Sequence, residues 1–284
     1  MARGRRSRHA KRGRPREVGQ PRRADGGGRW SARRLAAIVA CVVILAGALV
    51  AAGLFGGLLA EGGPRAQSAA IVDQLSLTQP NPDFAAKATD LLEKSGYTVD
   101  YYPGERVTVD FYRGLPALDY DLIILRVHSG MLWLGNETDA TQEEYVSLFT
   151  GEPYSVAEYL DEQRDARVVQ AVYDWGDDPI FAVSSNFVTR SMQGTFDDTL
   201  IVMMGCEGLG TERTGQAFVE RGARAFVSWD KKVSAAHSDA VTERLLEHLV
   251  IEKLKPQDAV ARTATELGPD PVFGAELRIL TDGG

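Results

Sequence analysis

The stretch DLIILRV, at residues 121–127, decides the fold class, because its side chains are apolar almost throughout. A run of this kind is typical of a central strand in a parallel sheet, where both faces are covered. A second such run, TLIVMMG, lies at residues 199–205. Shorter strand patterns occur near residues 69–75, 97–102 and 223–229, with helical patterns between them. This alternation predicts an α/β domain with a largely parallel sheet.

The helical patterns have recognisable faces and boundaries. After the first strand, Asp83 is expected to cap a helix that Gly96 ends. The buried face of this helix is predicted from the i, i+4, i+7, i+8 spacing of Phe84, Ala88, Leu91 and Leu92. Later amphipathic helices are predicted from Ser234 and over residues 257–267, before a last short strand near residues 276–280.

Residues 131–198 have a less regular pattern than the rest of the domain. They contain a predicted hairpin near residues 132–149, a helix from Ser155, and strands near residues 168–173 and 180–183. We interpret this segment as an insertion between core strands.

The N-terminal segments differ sharply in charge from the domain. Residues 1–34 hold 13 of the 32 Lys and Arg residues but only 2 of the 39 Asp and Glu residues, and such a basic tail is expected to be disordered. Residues 35–60, LAAIVACVVILAGALVAAGLFGGLLA, carry no charge, and about 20 apolar residues suffice for a transmembrane helix. A cleaved signal peptide has a shorter apolar core, usually about 7 to 15 residues. Residues 61–68, EGGPRAQS, are the predicted linker to a domain at residues 69–284.

The charge asymmetry also predicts the orientation in the membrane. Basic residues before a membrane helix stay in the cytoplasm, which sends the acidic domain to the other side. We therefore expect a single-pass protein of the cell membrane with a cytoplasmic N-terminus and an extracytoplasmic C-terminal domain. Its lipid partner would be the bilayer itself, through residues 35–60, with anionic headgroups beside the tail. No nucleic-acid partner is expected.

Two reactive residues follow the two most apolar strands. His128 comes directly after residues 121–127, and Cys206 comes directly after residues 199–205. In open α/β sheets, sites form beyond the carboxyl ends of the strands, so this thiol and this imidazole would face one crevice as nucleophile and general base. The backbone N–H groups of Gly130 and Cys206 would then supply an oxyanion hole.

Each of these residues also has a purely structural interpretation. A free cysteine is often a buried apolar group, and a lone histidine beside an apolar strand is often a core residue. Cys41 lies in the predicted membrane helix and Cys206 in the outer domain, so the two cysteines are not expected to pair.

A dinucleotide-binding loop is a second alternative at the same place. Gly205, Gly208 and Gly210 follow a strand and precede a helix, as in that motif. However, Arg213 stands where the third glycine belongs, and the carboxylate of Glu207 would repel a pyrophosphate.

Three segments carry a resemblance to a known family. They are LIILRVHSG at residues 122–130, LIVMMGCEGL at residues 200–209 and GQAFVERGARAFVSWD at residues 215–230. Together they resemble the caspase-like cysteine peptidases, the group that includes gingipains, clostripain, separase and the CHAT proteases. The resemblance spans roughly residues 69–280. It implies a three-layer α/β/α sandwich, a Cys206/His128 dyad, a peptide or protein substrate and no cofactor.

The resemblance is to the wider group and not to true caspases. Cys206 stands between Gly205 and Glu207 instead of in a Gln-Ala-Cys context, and 78 positions separate it from His128, against about 50 in caspases. The negative charge of Glu207 beside the thiol is expected to raise the thiol pKa unless another group compensates.

The resemblance also suggests how a substrate would be selected. Trp229 and Asp230 would line the first substrate pocket, where an acidic wall favours Arg or Lys through charge-assisted hydrogen bonds. In the alternative interpretation, Asp230 caps a turn or pairs with Lys231 or Lys232.

The leading hypothesis is a membrane-anchored caspase-like cysteine endopeptidase that uses Cys206 and His128. The rival is a catalytically inactive caspase-like surface domain that binds a partner. No metal site is predicted, because His237 and His248 lie eleven positions apart on one helix, too far to share an ion.

Overall fold

The computed structural model describes residues 66–134, 143–173 and 177–281. The predicted tail and membrane helix, at residues 1–34 and 35–60, lie outside the described residues. Within the described ranges, every helix is too short or too polar to cross a bilayer.

Six strands form one mostly parallel sheet. Their bounds are Ser68–Asp73 for β1, Thr98–Pro103 for β2, Leu122–Arg126 for β3, Leu200–Met203 for β8, Ala225–Trp229 for β9 and Leu277–Thr281 for β10. In space their order is β2, β1, β3, β8, β9, β10, and only β10 runs antiparallel to its neighbour. The predicted parallel sheet is therefore confirmed, with β3 and β8 side by side at its centre.

Four further strands form a separate antiparallel sheet within the segment that was interpreted as an insertion. They are β4 Ser129–Leu134, β5 Glu143–Pro153, β6 Val168–Ala171 and β7 Ile180–Val183, in the order β4, β5, β7, β6. The predicted hairpin is confirmed, since β4 and β5 pair antiparallel, but the pairing of β5 with the more distant β7 was not predicted. Val146 and Phe181 extend the main core from this sheet.

Seven α-helices connect the described strands. They are α1 Pro82–Lys94, α2 Val109–Gly114, α3 Leu160–Arg164, α4 Ser185–Arg190, α5 Glu212–Glu220, α6 Ala235–Leu246 and α7 Pro256–Leu267. Short 3₁₀ turns occur at Gln74–Leu77, Gly104–Arg106 and Leu115–Leu118, and a π-helical turn, Glu247–Ile251, extends α6.

Both faces of the main sheet are buried, as its apolar strands require. In β3, Ile123 and Leu125 point into one core, and Leu122 and Ile124 point into the other. The first core receives side chains from α2, α4 and α5 as well as from the second sheet, and the second core receives them from α1, α6 and α7. The domain is therefore layered around the main sheet.

The start of α1 differs from the prediction by two residues. Asn81, and not Asp83, is the N-cap, since its side-chain oxygen accepts a hydrogen bond from the N–H of Phe84 at 3.1 Å. Asp83 lies in the first turn, where a negative charge is still favourable. The predicted buried face is confirmed for Phe84, Ala88 and Leu92, which are fully buried.

A buried cluster of charges joins β1, β3 and α6 below the carboxyl edge of the sheet. Arg126 lies 2.8 Å from Asp73 and 2.8 Å from Asp239, and the three residues are 1%, 1% and 5% exposed. Its guanidinium also donates to the carbonyl of Gln79 at 3.0 Å, and Asn81 donates to Asp239 at 2.7 Å. The cluster thereby holds the segment after β1 against the end of β3.

Candidate active site

The two predicted catalytic residues each follow a strand of the main sheet by the same number of residues. Leu125 of β3 pairs with Met203 of β8 in the parallel ladder. His128 lies three residues beyond Leu125, and Cys206 lies three residues beyond Met203. Both therefore follow neighbouring strands at the carboxyl edge, where sites form in sheets of this type.

A close contact ties the ends of these two strands together. The hydroxyl of Ser129 donates to the carbonyl of Cys206 at 2.6 Å. A Cβ on Gly205 would lie 2.5 Å from the Ser129 hydroxyl oxygen and 2.7 Å from the Val127 carbonyl oxygen. Because both distances are too short for a side chain, Gly205 is required for this approach.

His128 is held from three sides. Its backbone N–H donates to the Gln74 side-chain oxygen at 2.9 Å, and its Nε2 lies 2.8 Å from the hydroxyl of Thr78. The rings of Tyr173 and Phe149 lie 5.2 Å and 6.0 Å from the imidazole centroid. The imidazole is thus oriented by one hydroxyl and bordered by two aromatic rings.

The surroundings of His128 favour its neutral form. Burial is the largest cause that lowers the pKa of the imidazole below its ordinary value, and the positive charge of Arg126 lowers it further. A neutral imidazole near pH 7 retains a lone pair that can accept a proton.

Gln74 and Thr78 are site residues that sequence reasoning missed. Gln74 is fully buried, and its amide donates to the Tyr173 hydroxyl at 2.6 Å and to the Thr150 carbonyl at 3.2 Å. Both residues follow the carboxyl end of β1, which neighbours β3. That position was a usable signal, because segments after neighbouring parallel strands meet at one edge.

Cys206 is half-buried on the opposite side of this edge. Its thiol donates to the carbonyl of Val233 at 3.7 Å, beside the start of α6. Burial is the main cause that raises the pKa of the thiol above its ordinary value, and the carboxylate of Glu207 raises it further, while the Val233 backbone and Lys232 oppose the shift. The resting thiol is therefore protonated at neutral pH.

Iodoacetamide is expected to alkylate Cys206 slowly near about pH 7 and faster as the pH rises beyond about 8.5, because only the thiolate reacts. Glu207→Gln removes one cause of the raised pKa and should speed alkylation at a fixed pH. Mass spectrometry can follow Cys206 separately from Cys41. A rate that already levels off below about pH 7 would contradict the protonated resting state.

The two predicted catalytic side chains share an edge without touching. The thiol faces Val233, the imidazole faces Thr78, and within the described part of the chain no hydrogen bond joins Cys206 to His128. The thiol, which has a single proton to donate, would have to give up its hydrogen bond to Val233 before it could bond to the imidazole. The dyad stays a prediction.

The register of the second sheet bears on the predicted oxyanion hole. The N–H of Phe149 donates to the carbonyl of His128 at 2.9 Å, so His128 and Phe149 occupy a hydrogen-bonded position. Such positions alternate in antiparallel pairs, which directs the N–H of Gly130 to its partner Ser147. By the same alternation the N–H of Ser129 would point away from β5, which makes it an alternative to Gly130 as the second donor of the predicted oxyanion hole.

Trp229 lies in the core at the end of β9. The residue is 1% exposed, and its indole N–H donates to the hydroxyl of Ser238 at 3.1 Å. Ser238 in turn donates to the carbonyl of Met204 at 3.0 Å. The indole therefore fastens α6 to the sheet, and this burial gives no support to the predicted contact between Trp229 and a substrate.

Asp230 is partly exposed and already has partners. It accepts a hydrogen bond from the N–H of Glu276 at 2.8 Å, and its carboxylate lies 3.6 Å from Arg278. These contacts tie Asp230 to the segment at the start of β10 and not to a local turn, and Lys231 donates to the carbonyl of Gly274 at 3.2 Å. A basic substrate residue would have to compete with Arg278 for this carboxylate.

This geometry gives little support to a bound dinucleotide or a bound metal ion. A Cβ on Gly208 would lie 2.2 Å from the hydroxyl oxygen of Ser228, so packing against β9 explains that glycine without a bound phosphate. Gly210 similarly approaches the carbonyl of Asp230. Across residues 66–134, 143–173 and 177–281, no group of three or more His, Cys, Asp or Glu side chains is arranged to hold a metal ion.

Comparisons with known proteins do not assign a family. No family model matches the chain, and no curated protein matches it. Among solved structures, the crystal structure of protein GSU0716 from Geobacter sulfurreducens is similar, with 9% sequence identity over 76% of this chain and 93% of that one. Its TM-score is 0.39, a likeness too weak to support any functional argument.

Proposed function

We propose that this protein is a membrane-anchored cysteine endopeptidase with a caspase-like α/β/α domain, acting on peptide or protein substrates. One observation carries the proposal: His128 and Cys206 lie three residues beyond Leu125 and Met203, respectively, the last paired positions of the adjacent parallel strands β3 and β8. The helices on both faces of the sheet and the resemblance of the three sequence segments support the fold assignment.

His128 would act as the general base through Nδ1. If Nε2 carries the ring proton and donates it to the Thr78 hydroxyl, the lone pair remains at Nδ1. Thr78 would then fix the tautomer, and Gln74 would fix the backbone of His128. This is the orienting role that a third group has in nucleophile and base pairs.

The reaction would proceed in two balanced steps. The Cys206 thiol leaves Val233, transfers its proton to His128 and attacks the scissile carbonyl, which forms a C–S bond. The C–N bond then breaks, and His128 returns the proton to the leaving amine. In the second step His128 takes a proton from water as the water attacks the thioester carbonyl, the C–S bond breaks to release the carboxylic acid, and the Cys206 thiolate regains that proton from His128.

The negative oxygen formed in each step needs donors. The N–H groups of Ser129 and Cys206 follow the two neighbouring strands, and the hydrogen bond from the Ser129 hydroxyl to the Cys206 carbonyl holds these backbones together. Donors fixed before the reaction stabilise the transition state more than donors that must reorganise.

A thiol-directed peptide probe tests the proposal on the full chain in detergent. We expect stoichiometric labelling of Cys206, because binding of the peptide lets His128 take the thiol proton. His128→Ala should slow this labelling by at least about 100-fold. Mass spectrometry distinguishes Cys206 from Cys41, which serves as an internal reference.

The control is His237→Ala, since among the described residues the ring of His237, on α6, lies 5.5 Å from Trp229, whereas the ring of His128 neighbours Phe149 and Tyr173. Labelling of this variant should equal that of the parent. Equal labelling of the parent and His128→Ala would instead show that the imidazole does not assist the thiol, and the dyad would be abandoned.

A second candidate function is a catalytically inactive surface domain that binds a partner. The hydrogen bond from the thiol to Val233 and the raised pKa of Cys206 favour this candidate, since they stabilise an unreactive thiol. It predicts the outcome opposite to the peptidase in the labelling experiment, namely indifference to His128.

The proposed anchor is the segment at residues 35–60, with the basic tail in the cytoplasm. Protease added to intact cells should digest the acidic domain and spare the tail, because the basic residues of the tail resist translocation. Epitope tags at the two termini, detected with antibodies, show which part of the chain remains. Protection of the domain in intact cells, with digestion only after lysis, would reverse the orientation.

A further inference from the structure

In a peptidase, the position of the general acid indicates where the leaving group binds. His128 must pass its proton to the amine of the substrate residue that follows the scissile bond, so that amine lies within about 3 Å of the imidazole. Side chains that surround His128 are therefore the surface this substrate residue meets. Their chemistry sets which residue is accepted.

The surface beside His128 is aromatic and apolar. Tyr173 and Phe149 lie 5.8 Å apart, and each ring also neighbours the imidazole. Both are only partly buried, unlike the fully buried rings of the core. Leu77, next to Thr78, is 38% exposed.

Leu77 is fixed over a contact between two glycines. A Cβ on Gly151 would lie 2.1 Å from the Gly104 carbonyl oxygen and 2.9 Å from Leu77 Cδ1. Gly151 is two residues beyond Phe149 in β5, so Leu77 and the two rings border the same part of the edge. We call Leu77, Phe149 and Tyr173 the aromatic shelf.

We propose that the aromatic shelf is the subsite for the residue after the scissile bond, and that it selects a large aliphatic or aromatic side chain there. This inference rests on the proposed peptidase function. Burial of an apolar side chain on the shelf releases water from exposed Leu77 and from two partly exposed rings, and ring contacts add to that gain. A carboxylate in the same place would lose hydration without a partner.

Tyr173 has a second role that the test must separate. Its hydroxyl binds Gln74, which holds the His128 backbone, so removal of the whole side chain also disturbs the base. Tyr173→Phe keeps the ring and loses the hydroxyl, whereas Tyr173→Ala loses both. If Tyr173 only positions His128, its loss should lower kcat/KM for all peptides by the same factor. If Tyr173 forms the subsite, its loss should change the ratio of kcat/KM between peptides.

The experiment measures kcat/KM of the full chain in detergent on peptides that differ only after the scissile bond, with Phe, Leu, Gly or Asp there. We expect Phe and Leu to exceed Gly by roughly tenfold, with Asp the poorest. Tyr173→Ala and Leu77→Ala should reduce that ratio to about threefold or less, while Tyr173→Phe should keep it. Leu118→Ala is the matched control, because Leu118 is 45% exposed before β3, at the opposite edge of the sheet.

The outcomes separate the two proposals. Hydrolysis without a preference, or an equal loss on all four peptides in Tyr173→Ala, overturns the subsite and leaves the peptidase standing. No hydrolysis of any peptide by the parent overturns both. A ratio that falls in Tyr173→Ala and holds in Leu118→Ala supports the shelf.

Discussion

Cys206→Ala and His128→Ala are each expected to reduce peptide hydrolysis by roughly 10⁴-fold or more, and the double variant should lose little beyond either single one. The thiol forms the covalent bond and the imidazole moves its proton, so removal of one leaves the other without a function. Initial rates on one peptide, measured for the parent and all three variants, test this. Losses that multiply in the double variant would show two independent roles.

Stability measurements separate catalysis from packing. Cys206→Ser nearly keeps the size of the side chain, so its free energy of unfolding should lie within about 1 kcal/mol of that of the parent. The variant should nevertheless be inactive. Neighbouring Glu207→Gln, which alters charge alone, should remain active. A large fall in melting temperature in both dyad variants, combined with an inactive parent, would identify the two side chains as core groups.

The main sheet was predictable because its signal is local. The apolar runs that became β3 and β8 are long enough to indicate strands buried on both faces, and the spacing of Phe84, Ala88 and Leu92 indicates a helix face. Each depends on residues close together in sequence. The cap of α1 was misplaced although a local signal was present: Pro82 occupies the first helical position, where a proline favours the preceding Asn81 as the cap over Asp83.

The surroundings of the candidate site were not predictable in the same way. Gln74 reaches the backbone of His128 across 54 positions, and Arg126 reaches Asp239 across 113. Polar side chains in these places look like ordinary loop or helix residues until the fold brings them together. The sequence predicted the edge of the sheet at which the candidate site lies. The residues that orient His128 there depend on long-range contacts, which the sequence did not reveal.

The buried charge cluster below that edge is expected to contribute strongly to the stability of the domain. Arg126→Met should destabilise the domain by about 3–5 kcal/mol, because Asp73 and Asp239 would remain buried without their shared cation. Methionine keeps much of the volume, so little of the loss would come from a cavity. Denaturant unfolding of the parent and the variant measures the difference, and a loss below about 1 kcal/mol would contradict a stabilising role for the pairing.

A compensated variant distinguishes lost charge pairing from lost packing. Asp73→Asn and Asp239→Asn remove both unpaired charges, so the triple variant with Arg126→Met should recover a large part of the stability, on the order of 2 kcal/mol. A triple variant no more stable than Arg126→Met alone would assign the loss to packing around Phe84, whose ring lies 5.6 Å from the guanidinium. Because Arg126 also holds the Gln79 carbonyl beside Thr78, the recovered fold should still show slower labelling of Cys206 by the peptide probe. Full recovery of labelling together with stability would mean that the cluster supports the fold without orienting His128.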